Sequence, residues 1–261
     1  MTRADRRRQE GTDAAQALAQ KIARAKLPGT PPALADRARN ALTALVQTAA
    51  KRGLPLSELA QRMADGQAAA TIADIEAEQA RALGRDPEAG SACAAGCAFC
   101  CILPGEDGGT ITRHEALRLH AALSPLAGQP DGRAWHKDAC PALDPATRVC
   151  RAYEARPQIC RAFHSTDATA CEANARGEPV PGARLAGPHL TYLAAHGLAR
   201  AVLGPRHRVE TFSLREIARA AADGQDADTA LAQARHKPSA LDAERRRTGR
   251  GLRAAKRASP G

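Results

Sequence analysis

The sequence predicts a mainly α-helical protein in which a small, irregular, cysteine-rich segment lies between helical flanks. Apolar residues make up 44% of the 261 residues but aromatic residues only 2%, so most of the apolar content is alanine and leucine. These two residue types favour helix over strand. The eight cysteines are not spread along the chain, because all of them fall between Cys93 and Cys171.

Four parts are expected along the chain. They are an Ala-rich helical region at 1–90, a cysteine-cluster domain at 91–175, a helical region at 176–237 that packs on the centre, and a basic, disordered tail at 238–261. Three helices are predicted in the first part, at 12–26, 33–52 and 56–83, because proline and glycine interrupt the apolar pattern between them. Ser57 is the expected cap of the third helix. We expect these helices to form a packing or partner-binding module.

Two capping patterns place helices in the later parts. Thr112 and Glu115 have the three-residue spacing of a capping box, which predicts one helix inside the otherwise aperiodic cysteine-rich segment. Ser213 and Glu216 repeat that spacing before another helix. A further helix is expected at about 189–203, where leucines recur on one face, and Pro238 marks the start of the tail.

The chain lacks the features of exported and membrane-spanning proteins. No apolar leader segment follows the N-terminal residues, and no run of about 18 apolar residues occurs. We therefore expect a soluble, cytoplasmic protein with no membrane partner. In a reducing compartment, closely spaced cysteines indicate metal binding or redox chemistry rather than disulfide bridges.

The first cysteine block has the spacing C-x3-C-x2-C-C, formed by Cys93, Cys97, Cys100 and Cys101. Thiolate is a soft ligand that binds zinc, copper(I) and iron–sulfur clusters, and Gly96 gives the loop the freedom to turn. Adjacent side chains tend to point apart. One of Cys100 and Cys101 is therefore expected to serve a second metal, a cluster edge or the protein core.

The second block supplies Cys140, Cys150 and Cys160. Pro157 suits the first turn of a helix, which puts Cys160 near a positive helix end, where a thiolate is stabilised. Cys171 is added to the ligand set because it is close in sequence. The side chains expected to surround the site are Tyr153, as a hydrogen-bond donor, and Arg156 and Arg161, as cations that offset thiolate charge.

These residues resemble a known family, the zinc- or iron-chelating CxxCxxCC-containing proteins, also called cysteine cluster proteins. The resemblance rests on the C-x3-C-x2-C-C block, the Thr112/Glu115 helix start, Cys140-Pro-x-Leu and the pattern C-x2-Y-x2-R-P-x2-C-R-x-F at 150–163. It covers roughly a quarter of the chain. It implies metal binding through seven cysteines, namely Cys93, Cys97, Cys100, Cys101, Cys140, Cys150 and Cys160. Family members often have proline where this chain has His164.

The nature of the metal stays open at the level of sequence. Seven or eight sulfurs can fill two zinc sites, which would make a structural module, or an iron–sulfur cluster, which would allow redox work or catalysis. The spacing of Cys93, Cys97 and Cys100 also matches the cluster-binding loop of radical S-adenosylmethionine proteins. The residues before Cys93 are predicted to be helical, which argues against this assignment. Whether the protein is an enzyme is not predicted.

Histidines lie among the cysteines and are further candidate ligands. His114 and His120 are six residues apart, so they do not share one helix face, and both are expected on the surface. His136 and His164 are weaker alternatives as members of a mixed Cys/His site.

The formal charge of +10 lies outside the cysteine-rich segment, because residues 90–175 contain eight basic and nine acidic residues. Seven basic residues and no acidic one occur from Arg245 onward, and Arg6, Arg7 and Arg8 are near the start. Such tails can neutralise nucleic-acid phosphates. A metalloprotein with a nucleic-acid partner is therefore an alternative to one whose tail is simply solvated.

Overall fold

The structure is a computed structural model that describes residues 2–86, 88–103, 105, 107–178, 180, 183–185, 187–204 and 207–258. Side chains are not described for 3–8, 183–185 and 251–258, so Arg6, Arg7 and Arg8 and the far end of the basic tail lie outside the described side chains. The described residues form eleven α-helices and four short strands, in this order: α1 (Arg3–Arg24), α2 (Pro32–Lys51), α3 (Leu56–Ala64), α4 (Gln67–Ala82), β1 (Thr110–Thr112), α5 (Arg113–Leu123), α6 (Gln158–Arg161), β2 (Phe163–Ser165), α7 (Ala168–Ala175), β3 (Ala183–Leu185), α8 (Gly187–Leu203), β4 (Thr211–Ser213), α9 (Leu214–Ala222), α10 (Ala227–Ala234) and α11 (Ala240–Ala258). The predicted mainly α class is confirmed.

The chain divides into two compact units. Unit 1 contains residues Met1–Glu78, Pro188–Val209 and Ser239–Gly261, and unit 2 contains Gln79–Gly187 and Glu210–Pro238. Each unit has its own apolar core. The predicted four-part division stays a prediction. The helix expected at about 189–203 and the tail at 238–261 are described below as the structure has them.

In the described part of unit 1, all the regular elements are helices. Helix α1 packs against α2, and both contact α3. Ile22, Leu42 and Val46 are fully buried between these helices. Proline at the first position of α2 suits a helix start, since its missing N–H has no acceptor there in any case. Ala38, Leu42 and Val46 recur at four-residue intervals along α2 and lie on the face that packs into the first core.

The third predicted helix, 56–83, is two helices in the structure. Helix α3 ends at Ala64 with Asp65 as its C-cap, and Gly66 follows with a φ of 94°, which suits glycine. The Asp65 carboxylate then accepts a hydrogen bond from the Gln67 N–H at 2.9 Å and starts α4. The expectation that Ser57 caps α3 is wrong, because Pro55 precedes the first helical residue.

Helix α8 belongs to unit 1, although it was expected to pack on the cysteine-rich centre. Tyr192, Leu193 and Leu198 are at most 2% exposed in the first core. The leucine stripe was identified correctly, but an apolar stripe does not specify its partner. The partner here is the N-terminal helix group, which is far away in sequence.

The basic tail differs from the predicted disordered segment, because α11 spans most of it. Leu241 is 1% exposed and Arg245 is 7% exposed. Arg245 donates a hydrogen bond to Thr30 Oγ1 at 3.1 Å and pairs with Asp242. Alanine, leucine and arginine are good helix formers, and these contacts give the helix a docking face. Arg245 therefore has a structural role rather than being a free cation.

Unit 2 joins two short antiparallel sheets to a helical layer. Strand β1 pairs with β4, with Ile111 opposite Phe212, and β2 pairs with β3. Helices α5, α9 and α10 pack on one another around Ile111, Phe212 and Ile217, which are at most 1% exposed. The capping box of Thr112 and Glu115 is confirmed at the start of α5.

The helix that was predicted to follow Ser213 is also present, as α9. The Ser213 hydroxyl accepts a hydrogen bond from the Glu216 N–H at 3.2 Å. Within the described part of the chain, no helix has the length and apolar content needed to cross a bilayer.

His189 in α8 gives the fold a testable pH dependence. It is 1% exposed, and neither ring nitrogen has a hydrogen-bond partner among the described residues. Its ring stacks on Tyr192 with the ring centroids 5.7 Å apart. Burial, together with the charge of Arg247, lowers the pKa of His189 from 6.5 to about 4.

The free energy of unfolding should therefore fall as the pH falls from 6.5 towards 4. Between these pH values the unfolded chain binds a proton at this histidine and the folded chain does not. The free energy of unfolding therefore falls by up to about 1.4 kcal/mol per pH unit. Urea unfolding of the metal-free protein, followed by circular dichroism at pH 7 and pH 4.5, measures this loss. His189→Phe should reduce the difference, whereas His114→Gln, at a half-buried position, should leave it. An equal loss in the wild type and His189→Phe would contradict this role of His189.

Candidate metal centre

Backbone pairing brings the first cysteine block to Cys140. Phe99–Cys101 forms a 3₁₀ turn, and the chain then runs beside residues 138–140. The Cys140 N–H donates to the Cys101 carbonyl at 2.8 Å, and the Leu103 N–H donates to the Asp138 carbonyl at 2.9 Å. Cys101 and Cys140 are thus tied directly by the main chain, although 38 residues lie between them in the sequence.

A closed loop returns the chain from Cys140 to Cys150. Leu143 pairs with Cys150 in an isolated antiparallel bridge, and the Arg151 N–H donates to the Ala142 carbonyl at 2.7 Å. The Asp144 carboxylate closes the loop by accepting from the Thr147 N–H at 2.8 Å and from the Ala146 N–H at 3.1 Å. These hydrogen bonds lower the pKa of Asp144.

Two glycines allow this backbone to approach closely. A Cβ at Gly132 would lie 2.3 Å from the Cys140 carbonyl oxygen, so only glycine fits there. Gly96 has a φ of 80°, which supports the predicted turn in the first block, and a Cβ there would lie 3.0 Å from the Thr147 carbonyl oxygen. The first block and the 144–149 loop therefore contact each other through main-chain atoms.

Cys160 lies on α6, the short helix that Pro157 introduces, as predicted. Its N–H donates to the Pro157 carbonyl at 2.9 Å. Helix α6 contacts both β1 and β2, which hold it against the second core. Three separate stretches of chain thus each bring at least one cysteine to the same place.

Five thiols meet there, and we refer to them as the five-thiol cluster: Cys100, Cys101, Cys140, Cys150 and Cys160. They are close enough for their charges to interact, because the charges of Cys140 and Cys150 each raise the pKa of Cys160, and that of Cys160 raises the pKa of Cys101. Cys140 is part of the second core and is 7% exposed. Cys101, Cys150 and Cys160 pack against that core, and Cys100 is exposed. All eight cysteines of the chain are free.

Burial keeps most of the cluster protonated. It raises the pKa of Cys140 to about 12, and it raises the pKa of Cys150 and, well above the usual range, that of Cys160. In the metal-free protein burial thus raises the pKa of Cys160 although the residue lies at the start of α6, and the thiolate expected there in a metal site stays a prediction.

Cys100 shifts in the opposite direction. The Cys101 thiol donates a hydrogen bond to Cys100, and the positive charge of Arg156 is close, so the pKa of Cys100 falls to about 7. The pKa of Cys101 rises well above the usual range, first because its proton is held in that bond and then because it is buried. The hydrogen bond within the adjacent pair therefore lowers the pKa of one thiol and raises that of the other.

The remaining predicted ligands are Cys93, Cys97 and Cys171. Cys93 is exposed, and Cys97 is partly buried; burial and the charge of Cys93 raise the pKa of Cys97, and Cys100 adds to this rise. Cys171 is buried in α7, which packs against the 3₁₀ turn of the first block. The membership of these three cysteines in a ligand set stays a prediction.

The three side chains expected around the site occupy different places. The positive charge of Arg156 helps to lower the pKa of Cys100, and it offsets part of the rise that burial causes in the pKa of Cys150. Its guanidinium carbon is 3.6 Å from the centre of the Tyr153 ring, so the exposed tyrosine makes a cation–π contact with the arginine. Arg161 donates to Gln158 Oε1 at 2.8 Å within α6.

Sequence reasoning missed two charged residues beside the cluster. Arg215 in α9 reaches the Asp138 carbonyl at 3.5 Å, and its positive charge offsets a small part of the rise that burial causes in the pKa of Cys140. Glu115, identified only as a capping residue, adds its negative charge to the field at Cys160. No local pattern indicates either contact, since both join elements that are distant in sequence.

The histidines are placed as follows. His120 is buried, which contradicts the expected surface position, and its ring bonds to Gln225 O at 2.8 Å and to Ser124 Oγ at 3.0 Å. His136 Nδ1 accepts from the Asp138 N–H at 3.2 Å. His164 Nε2 lies 3.9 Å from Glu88 Oε1. Ligation by His136 or His164 stays a prediction.

The donor set fits a soft metal ion, although its sulfurs are not arranged around one point. Among the described residues, no group of three or more Cys, His, Asp or Glu side chains has a geometry that could hold an ion. Protonated thiols pack as small apolar groups and have no reason to converge. Thiolates are required for ligation, so deprotonation and closure of such a site would accompany metal binding. Ligation by Cys100, Cys101, Cys140, Cys150 and Cys160 stays a prediction.

Comparison with known families agrees with this geometry. Residues 92–177 match the family model CxxCxxCC, described as "Putative zinc- or iron-chelating domain". The cysteine-rich segment is similar to this family. The resemblance predicted from the sequence is thereby confirmed, and the match extends past Phe163 to include Cys171. The CxxCxxCC segment is about a third of the chain. No curated protein matches the chain, and no solved structure does.

Metal binding by the CxxCxxCC segment should release protons at pH 7. Burial keeps Cys140, Cys150 and Cys160 protonated in the metal-free protein, so each one that ligates loses about one proton. The apparent metal affinity should accordingly rise with pH. Titration with Zn²⁺ in buffers of different ionisation enthalpy counts the protons released per metal bound. Cys140→Ser should release about one proton fewer, and an unchanged count would contradict ligation by Cys140.

Proposed function

We propose that the CxxCxxCC segment binds zinc or iron through thiolates of the five-thiol cluster, with Cys93 and Cys97 as neighbouring donors. One observation carries the proposal. Five cysteines from three stretches of chain lie beside the second core, close enough for their charges to interact, and cysteine sulfur is a preferred zinc ligand. The family match of the same residues supports metal binding in general.

The bound ion would supply the positive charge that the cluster otherwise obtains from protons. Arg156 and Arg215 stand beside the thiols on different elements and would offset the remaining negative charge of a polythiolate site. Tyr153 would act indirectly by holding Arg156. Free thiols require a reducing compartment, so we propose that the protein works in the cytoplasm.

A structural or chelating role with closed thiolate sites is the form of the proposal that we favour. The adjacent pair Cys100 and Cys101 is the one observation that favours a polynuclear centre, such as an iron–sulfur cluster, over a single ion. That alternative would bring redox chemistry or catalysis, and it predicts a different colour and metal content.

Metal analysis of anaerobically purified protein tests the proposal. The wild type should retain zinc or iron after dialysis, and Cys101→Ser, Cys140→Ser, Cys150→Ser and Cys160→Ser should each lose most of it. Colourless protein with zinc would support closed zinc sites, whereas brown protein with iron and sulfide would support a cluster.

A matched control separates lost ligation from lost packing. Ala142→Ser places the same hydroxyl group at a position that is 3% exposed and lies two residues after Cys140. This variant should keep its metal. Wild-type protein that retains neither metal, or serine variants that retain as much as the wild type, would rule the proposal out.

A further inference from the structure

Glu115 is a buried carboxylate whose contacts go beyond capping a helix. It is 4% exposed. Its Oε2 atom accepts hydrogen bonds from the Thr112 N–H at 3.0 Å and from Thr112 Oγ1 at 3.3 Å, which is the capping half of its role. Its Oε1 atom accepts from the Gln158 N–H at 2.7 Å, across 43 residues of sequence. A capping box needs only the first of these contacts.

The second contact fixes the start of the helix that carries Cys160. Gln158 is the first residue of α6, and the first N–H groups of a helix have no acceptor within it. Gln158 is 4% exposed, so water does not replace the missing acceptor easily. Glu115 supplies it, and thereby joins α6 to the first turn of α5. Cys160 follows two residues later.

The charge of Glu115 does not favour a thiolate at Cys160. Its negative charge contributes to raising the pKa of Cys160, after burial and the neighbouring thiols. A carboxylate at this place therefore opposes metal ligation electrostatically while it fixes the backbone. The two effects predict opposite results when the charge alone is removed, so they can be separated.

We propose that Glu115 is a positioning residue for Cys160, which it holds in place by bridging α5 and α6. The part of this proposal that concerns metal rests on the proposed function above. The part that concerns the position of Cys160 holds for the metal-free protein and can be tested in it.

The first test is the reactivity of Cys160 in the metal-free protein. Alkylation followed by peptide mass spectrometry gives the rate for each cysteine separately. Glu115→Ala should raise the rate at Cys160 at least severalfold relative to the rate at Cys171, because α6 loses its anchor. Thr112→Val removes only the hydroxyl that takes part in capping and should leave the Cys160 rate unchanged. If Glu115 only caps α5, both variants would change that rate alike, and the proposal would be wrong.

The second test is metal affinity, measured by competition with a zinc chelator. Glu115→Ala should weaken binding roughly 10-fold or more, as loss of a group that orients a ligand does. Glu115→Gln keeps one carbonyl oxygen for the Gln158 N–H and removes the charge, so it should bind more tightly than Glu115→Ala. Glu154→Gln, at an exposed carboxylate in the same segment, should match the wild type.

The results distinguish failure of this inference from failure of the proposed function. Wild-type protein that binds no metal would refute the proposed function, and the alkylation rates would still decide the role of Glu115. Unchanged alkylation of Cys160 in Glu115→Ala, in protein with wild-type circular dichroism, would overturn the positioning role. If Glu115→Ala does not fold, Glu115→Asp carries the test, because its shorter side chain withdraws the carboxylate from the Gln158 N–H and keeps the charge. A Cys160 rate equal to that of the wild type in Glu115→Asp would overturn the positioning role.

Discussion

The charge state of five neighbouring thiols is the constraint on which unit 2 is built. Several thiolates cannot be buried together without cations, because each lacks solvent and repels the others. The metal-free protein meets this constraint with protons, and the pKa of Cys140 rises to about 12. Only Cys100, at the exposed edge beside Arg156, has a lowered pKa. A divalent ion can replace those protons, so protonation and metal binding at this site are one coupled equilibrium.

The scaffold around the thiols is held by main-chain contacts as well as by the second apolar core. Cys101 and Cys140 share a backbone hydrogen bond, Cys150 is returned by a loop that Asp144 closes, and Cys160 sits on a helix anchored at Glu115. Each of these contacts fixes a backbone position without using the sulfur atom of the cysteine. That combination suits a site in which the sulfurs converge when an ion arrives.

Local patterns in the sequence were sufficient for several parts of this account. The start of α5 at Thr112, the cap at Ser213 and the short helix after Pro157 follow from residues within one helical turn. The cysteine spacings and the family resemblance could also be recognised from the sequence, because their residues lie within one continuous segment. These features depend on interactions between near neighbours in the chain.

Contacts between distant segments could not be derived from the sequence. The approach of Arg215 to Cys140 and the bond from Gln158 to Glu115 join elements whose packing no local pattern specifies. The burial of Cys160 likewise reversed the expected effect of its helix on the thiol pKa. The segment that forms α11 was predicted to be a disordered tail because its sequence is strongly basic. The sequence does not show that Leu241 and Arg245 are buried or that Arg245 contacts Thr30.

X-ray absorption spectroscopy of the anaerobically purified, metal-bound chain tests the central claim most directly. It reports the elements bonded to the metal without a crystal. The account predicts a shell dominated by sulfur, at about 2.3 Å if the metal is zinc, in the wild type and in Ala142→Ser. A shell made mainly of nitrogen and oxygen would contradict the claim that the five-thiol cluster holds the metal.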